Sequence, residues 1–269
     1  MRILVTGVSS GIGLSLAQRL SKHELWGLAR RNPPADLSIH FISCDVSDWT
    51  QITAFSKELA AAWDSLDAII HCAGSQGVVG PSMSVNPLEW ASAVRANLEG
   101  AFFVVRGFYH LLIRSGAVSR RKIILFSGGG ASKPRANFSA YACAKTALVR
   151  LAESLAAEWK ELPIDINIVA PGAISTAMTR EVVDLGPEAA GEAEFKRATS
   201  QLIDGGDSIE KLHEVIRFLL SPQSDGITGR FISAQWDRRE WFEKVRNELA
   251  GSDIFTLRRI TPEDRGLTA

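Results

Sequence analysis

Seven short apolar runs, at about Ile3–Thr6, Leu25–Ala29, Ile39–Cys44, Ala68–Cys72, Lys122–Ser127, Ile164–Ala170 and Arg230–Ala234, alternate with amphipathic segments of helical length. Few folds accept that rhythm. A run that is apolar throughout suits a strand buried on both faces, and a helix between successive strands is what a parallel crossover requires. Helices are predicted at about Gly11–Ser21, Thr50–Trp63, Pro87–Ser115, Ser139–Leu162 and Ser208–Leu220. The expected fold class is α/β: a single doubly wound domain, its parallel seven-stranded sheet covered by helices on both faces. A chain of 269 residues is long enough for one such large core, and it carries no internal repeat.

The first crossover is the most informative. Ile3-Leu4-Val5 runs into Thr6-Gly7-Val8-Ser9-Ser10-Gly11-Ile12-Gly13, a strand, a glycine turn and a helix start. Glycine serves where backbone must bend sharply or approach a ligand closely. The helix N-terminus behind the turn presents free N–H groups to a pyrophosphate. A dinucleotide is the expected ligand, with an ordinary strand–helix turn as the plainer reading. The spacing Gly-x-x-x-Gly-x-Gly differs from the commoner Rossmann fingerprint, and no Gly-Lys-Ser/Thr follows, which argues against kinases and ATPases.

The second apolar run ends in Arg30-Arg31, at the place where an acidic residue would select NAD. A guanidinium there suits the extra phosphate of NADP, so NADP(H) is the expected cofactor; a solvated basic turn is the alternative. Asp45 closes the third run and is expected either to accept a hydrogen bond from adenine or to serve as a helix-start charge.

Charge and cysteine usage narrow the partners. Thirty basic residues balance thirty acidic ones, so nothing draws the chain to nucleic acid or to an anionic membrane. No apolar run reaches spanning length, and the first is too short for a signal peptide. Cys44, Cys72 and Cys143 cannot all pair and match no zinc spacing, so no metal is expected and a reducing, cytoplasmic location is. The segment 173–207 interrupts the rhythm and is expected to be a lid, with Met178, Val182, Val183, Leu185, Phe195 and Leu202 on its apolar side. Residues 1–234 then form the domain. Residues 235–269, with Trp236, Trp241 and Phe242, form a C-terminal extension expected to dock on this subunit or a neighbour.

Tyr141 and Lys145 lie one turn apart on the predicted helix, on the same apolar stripe as Leu148, Ala152, Leu155 and Trp159. A lysine there costs energy unless it has a task. Beside a phenol it stabilises phenolate and equips the tyrosine for proton transfer. Snorkelling of Lys145 to the helix end is the alternative.

Taken together, these motifs resemble the short-chain dehydrogenase/reductase family over Met1 to about Ala234. Gly7, Ser9, Ser10, Gly11, Ile12 and Gly13 match its cofactor loop, and Asp45-Val46 its adenine contact. Cys72-Ala73-Gly74 stands where the family usually has Asn-Ala-Gly, and Asn97-Leu98-Glu99-Gly100 matches its Asn-x-x-Gly element. Tyr141 and Lys145 match its catalytic motif, and Pro171, Gly172, Ile174 and Thr176 belong to its segment over the nicotinamide amide. The resemblance implies hydride transfer between NADP(H) and a small carbonyl or alcohol substrate. Tyr141 would be the general acid, Lys145 the ribose and tyrosine partner, and Asn97 the anchor of a relay water. It also implies a homodimer or homotetramer; a non-catalytic NADP-binding regulator is the alternative. The family's serine falls at Gly128 in an ungapped match, one residue past Ser127. Ser127 is expected in that role if the Gly128-Gly129-Gly130 run bulges and turns it back to the site.

Overall fold

In the computed structural model, which describes residues 1–113 and 119–267, the seven strands form one parallel sheet in the order β3-β2-β1-β4-β5-β6-β7. They are β1 (Arg2–Thr6), β2 (Glu24–Ala29), β3 (His40–Ser43), β4 (Ala68–His71), β5 (Arg121–Phe126), β6 (Ile164–Ala170) and β7 (Phe231–Ser233). Side chains alternate between the two faces. Leu4, Ile69, Ile123, Leu125 and Ile166 enter one core with Phe55, Phe108 and Leu148. Ile3, Val5, Ile70, Ile124, Val169 and Ile232 enter the other with Leu16, Leu212 and Ile216. Each strand feeds both cores, which is why its sequence reads as an unbroken apolar run.

The helices α1 (Gly11–Arg19) and α9 (Ile209–Leu220) cover one face; α2 (Trp49–Ala62), α4 (Gly100–Leu112) and α5 (Ser139–Glu158) cover the other. The strand order turns back on itself between β1 and β4. In open sheets of this kind the crevice beyond the carboxyl ends of those two strands receives the ligand.

One expectation needs correction here. The helix predicted over Pro87–Ser115 is divided into α3 (Pro87–Val94), a π turn (Arg95–Glu99) and α4, while residues 114 and 115 lie outside the described residues. Within the turn the Asn97 side chain donates to the Ala93 carbonyl (2.9 Å), and the Gly100 N–H reaches back five residues to Arg95. A side-chain amide thus competes for an acceptor of the helical ladder. The segment 173–207, which broke the strand–helix rhythm, carries three helices, α6 (Ala177–Asp184), α7 (Gly186–Ala190) and α8 (Glu192–Asp204). Val182, Ala190 and Ala198 pack with Phe138 and Tyr141, and Met178, Val183 and Phe195 flank them; Leu185 is exposed.

The extension forms α10 (Arg239–Leu249), with Phe242 buried against Phe218 and Phe255, whereas Trp236 stays 80% exposed. Among the described residues no helix is long and apolar enough to cross a membrane.

Candidate active site

A cleft of about 860 Å³ opens at the β1/β4 crevice, and all of the expected site residues except Asn97 line it. Its first wall is the glycine turn. Gly7 and Gly11 have φ of +76° and +57°, and a Cβ on Gly13 would stand 2.3 Å from the Gly7 carbonyl oxygen. Only hydrogen fits there, so α1 comes close behind the strand. Ser10 caps α1 without a side-chain hydrogen bond, and the first turn has no acidic residue. These open N–H groups suit the pyrophosphate of a dinucleotide, so the cradle fits that class of cofactor.

Arg30 and Arg31 follow β2 at one end of the cleft. Both are exposed, and neither guanidinium has a hydrogen bond or an ion pair among the described residues. Asp45 accepts from the Ser47 N–H (2.9 Å) and hydroxyl (2.7 Å). The helix-start charge is supplied by Asp48, whose carboxylate caps α2 through Thr50 and Gln51.

At the other end α5 brings Tyr141 and Lys145 to the floor, both buried. The Lys145 ammonium donates to the Phe126 carbonyl (3.0 Å) and lies 5.6 Å from the Tyr141 ring centroid. Burial without a carboxylate partner pulls Lys145 down to about 8. The Tyr141 phenol is pushed up by burial and pulled down by the Arg135 guanidinium. Asn97 sits one layer behind. Its amide donates to the Ser75 carbonyl (2.9 Å) and its oxygen accepts from the Ser75 N–H (3.3 Å), pinning the loop after β4. Gly74 separates it from the lysine: a Cβ there would be 2.7 Å from the Asn97 oxygen and 3.4 Å from Lys145 Nζ.

The expected bulge after β5 does not form. The Ser127 N–H donates to Val169 (3.0 Å), continuing the parallel ladder, and its hydroxyl donates to the Lys145 carbonyl (3.2 Å). Ser127 therefore ties β5 to α5 and is not turned to the tyrosine. Gly128 faces Tyr141 instead, where an added Cβ would be 2.4 Å from the phenol oxygen. The ladder prevails because a slip would leave a buried backbone N–H unpaired.

Several braces escaped sequence reading. Thr6 Oγ1 accepts from the Ala73 N–H (3.0 Å) and meets His71 Nδ1 (3.0 Å), locking the ends of β1 and β4 together. Asp207 accepts from the Ala173 N–H (2.7 Å), and Gln235 donates to the Pro171 carbonyl (2.9 Å), so the 171–173 segment is held from both sides. On the substrate side Arg135 donates to Glu194 of α8 (2.8 Å), which also binds Arg197 (2.6 Å). Apart from the Glu194–Arg197 pair, which lies within one helix turn, these contacts join segments far apart in the chain and nothing local in the sequence announces them.

Known proteins share both the motifs and the frame. Residues 1–185 match the sequence model of the short chain dehydrogenase family. The chain is 28% identical to the short chain dehydrogenase tazN of Aspergillus terreus over 90% of its own length and 53% of that protein's. It is 27% identical to the 3-oxoacyl-[acyl-carrier-protein] reductase FabG of Chlamydia muridarum over 86% of this chain and 94% of that one. The ligand-free aldohexose dehydrogenase of Thermoplasma acidophilum superposes with a TM-score of 0.76 at 23% identity, covering 87% of this chain and 92% of the other.

Proposed function

The chain belongs to the short chain dehydrogenase family, and we propose that it is an NADP(H)-dependent oxidoreductase interconverting a carbonyl and an alcohol on a small to medium, partly apolar substrate. The observation that carries this reading is one continuous cleft, with Arg30 and Arg31 at one end and Tyr141 and Lys145 at the other. A reduced nicotinamide dinucleotide held along it would supply the hydride for a carbonyl carbon. As the C=O π pair moves onto oxygen, Tyr141 gives that oxygen its phenol proton. Lys145 holds the nicotinamide ribose and stabilises the phenolate left behind. Solvent restores the proton by way of Lys145 and a water anchored at Asn97. Alcohol oxidation runs the same transfers backwards.

Arg30 and Arg31 are assigned to the 2′-phosphate, the glycine turn to the pyrophosphate, and Asp45 and Val46 to adenine. Ala73 and Gly74 back the ribose, and Pro171, Gly172, Ile174 and Thr176 the nicotinamide. Met178, Val182 and Ala198 give the substrate end its apolar side. The exposed rings of Trp49 and Phe102, bridged by the half-buried Phe103, support a homodimer or homotetramer, and three free cysteines support a cytoplasmic setting. The test is direct: purified protein, NADPH and a panel of ketones, followed by loss of the reduced nicotinamide absorbance. Turnover of at least one ketone is expected. Tight NADPH binding with no consumption across the panel would instead favour a non-catalytic regulator.

A further inference from the structure

Hydride addition loads negative charge onto the carbonyl oxygen, and donors already aimed at that oxygen lower the barrier. Tyr141 is one donor. The β5 end provides no second one, because the Ser127 hydroxyl is engaged by the Lys145 carbonyl and residue 128 has no side chain. Nor does the packing leave room for one, since the phenol oxygen fills the place beside Gly128.

We propose that Arg135 supplies the second hydrogen bond to the substrate oxygen, in place of a serine hydroxyl. This rests on the reductase reading given above. Arg135 lines the cleft from the loop between β5 and α5. Its guanidinium lies 3.7 Å from the Phe138 ring centroid and 5.7 Å from that of Tyr141. Nε is held by Glu194 (2.8 Å) and Nη1 reaches the Gln76 side-chain oxygen (3.4 Å), while Nη2 has no protein partner among the described residues. One fork of a fixed, planar donor is therefore left for a ligand.

The surroundings support that use. The Arg135 and Glu194 side chains are only 15% and 14% exposed, so the pair is sheltered from screening and its geometry is set by packing. Glu194 belongs to the lid, so the arginine is oriented by the same element that covers the substrate. A guanidinium stays protonated at working pH and gives no proton away. It binds the developing oxyanion, and the proton still comes from Tyr141.

The charged and titratable neighbours of the phenol are few. Arg135 stands on its substrate side and Lys145 on its own helix; Glu194 acts through Arg135, and His71 and Cys72 of the β4 end lie near Lys145. Arg135 also draws the phenol down against the upward push of burial, so it serves the acid as well as the oxygen.

The experiment uses Arg135→Met and Arg135→Lys with three readouts: kcat for ketone reduction at saturating NADPH, NADPH affinity by fluorescence, and phenolate titration by ultraviolet difference absorbance. The last is readable because the chain has only two tyrosines, Tyr109 and Tyr141, and Tyr141→Phe identifies the relevant step. For Arg135→Met, kcat should fall about 100-fold with NADPH affinity held within about twofold. Its Tyr141 titration should move to higher pH. Arg135→Lys, which keeps the cation without the fork, should restore the titration and only part of kcat. The proposal is overturned if Arg135→Met keeps kcat within about threefold of the parent, or if its loss is confined to KM. An unmoved tyrosine titration in Arg135→Met overturns it as well. If the parent protein reduces no carbonyl, the reductase reading fails first, and the titration still reports whether the guanidinium acts on the phenol.

Discussion

Lys145 is buried on an apolar helix face with the Phe126 carbonyl as its hydrogen-bond partner and no ion pair among the described residues. Such a residue costs stability in the protein without cofactor, and the cost has a pH signature. Its folded pKa is lowered to about 8 from 10.5, so the unfolded chain binds the proton more firmly. Between those values the unfolded state carries more protons, and stability rises with pH through that window; below 8 the penalty is fully present. Lys145→Met should therefore unfold at higher urea than the parent at pH 7, by on the order of 2 kcal/mol, and the gap should close towards pH 10. A gap that is constant with pH would mean the ammonium is not strained by burial. The same substitution should abolish turnover. Tyr141→Phe separates chemistry from binding at this scale: it removes the transferable proton but keeps the ring packed against Phe138 and Val182. NADPH affinity should be nearly unchanged and kcat reduced at least about 100-fold. Comparable activity in the variant would discard the assigned acid.

At the scale of elements, the β2 end decides which dinucleotide the cleft prefers. With both guanidinia exposed and unpaired among the described residues, Arg30→Ala should lose more affinity for NADPH than for NADH in parallel fluorescence titrations. Equal losses would remove the phosphate role. The strands themselves were legible because each feeds two cores, and burial on both faces leaves a run such as Ile123-Ile124-Leu125-Phe126 with no polar position. The glycine turn of the candidate site was legible for a related reason: a turn that cannot accept a Cβ at Gly13 must write glycine into the sequence. The break at Arg95–Glu99 was not legible. Asn97 and Gly100 look like tolerable helix residues, and the break depends on Asn97 finding Ser75 and on Gly100 closing against Val46, both tertiary events. Three glycines after Ser127 suggested a bulge, yet ladder pairing with Val169 prevailed. Arg135 gave no local sign at all, since its partners Gln76 and Glu194 lie 59 residues away in opposite directions.

For the whole molecule, the remaining question is what the C-terminal extension contributes. β7 has only three residues and stands at the edge of the sheet, where unpaired N–H groups invite another chain. The extension covers that edge, with the Phe231 N–H donating to the Phe255 carbonyl (2.7 Å). Phe255 itself has φ of +57°, a conformation costly for an aromatic residue that persists only where packing over-determines it. The packing is supplied by Phe242, 5.0 Å from Phe255 and 6.0 Å from Phe218 between ring centroids. Buried Arg230 adds hydrogen bonds to the carbonyls of Leu249, Ser252 (2.9 Å) and Ile254 (2.7 Å), so the chain after α10 is clamped at its backbone. Trp236 takes no part in this. Its exposed ring lines the cleft mouth, so its truncation should leave the urea midpoint almost unmoved and act on substrate KM. Phe242→Ala should cost about 3 kcal/mol in urea unfolding, because a fully buried ring is removed and the strained Phe255 loses its support. With the edge of β7 released, light scattering at moderate heating should also rise earlier than in the parent. If the two variants proved equally mild, the extension would be a loosely attached appendage, and protection of the sheet edge would have to come from a second subunit.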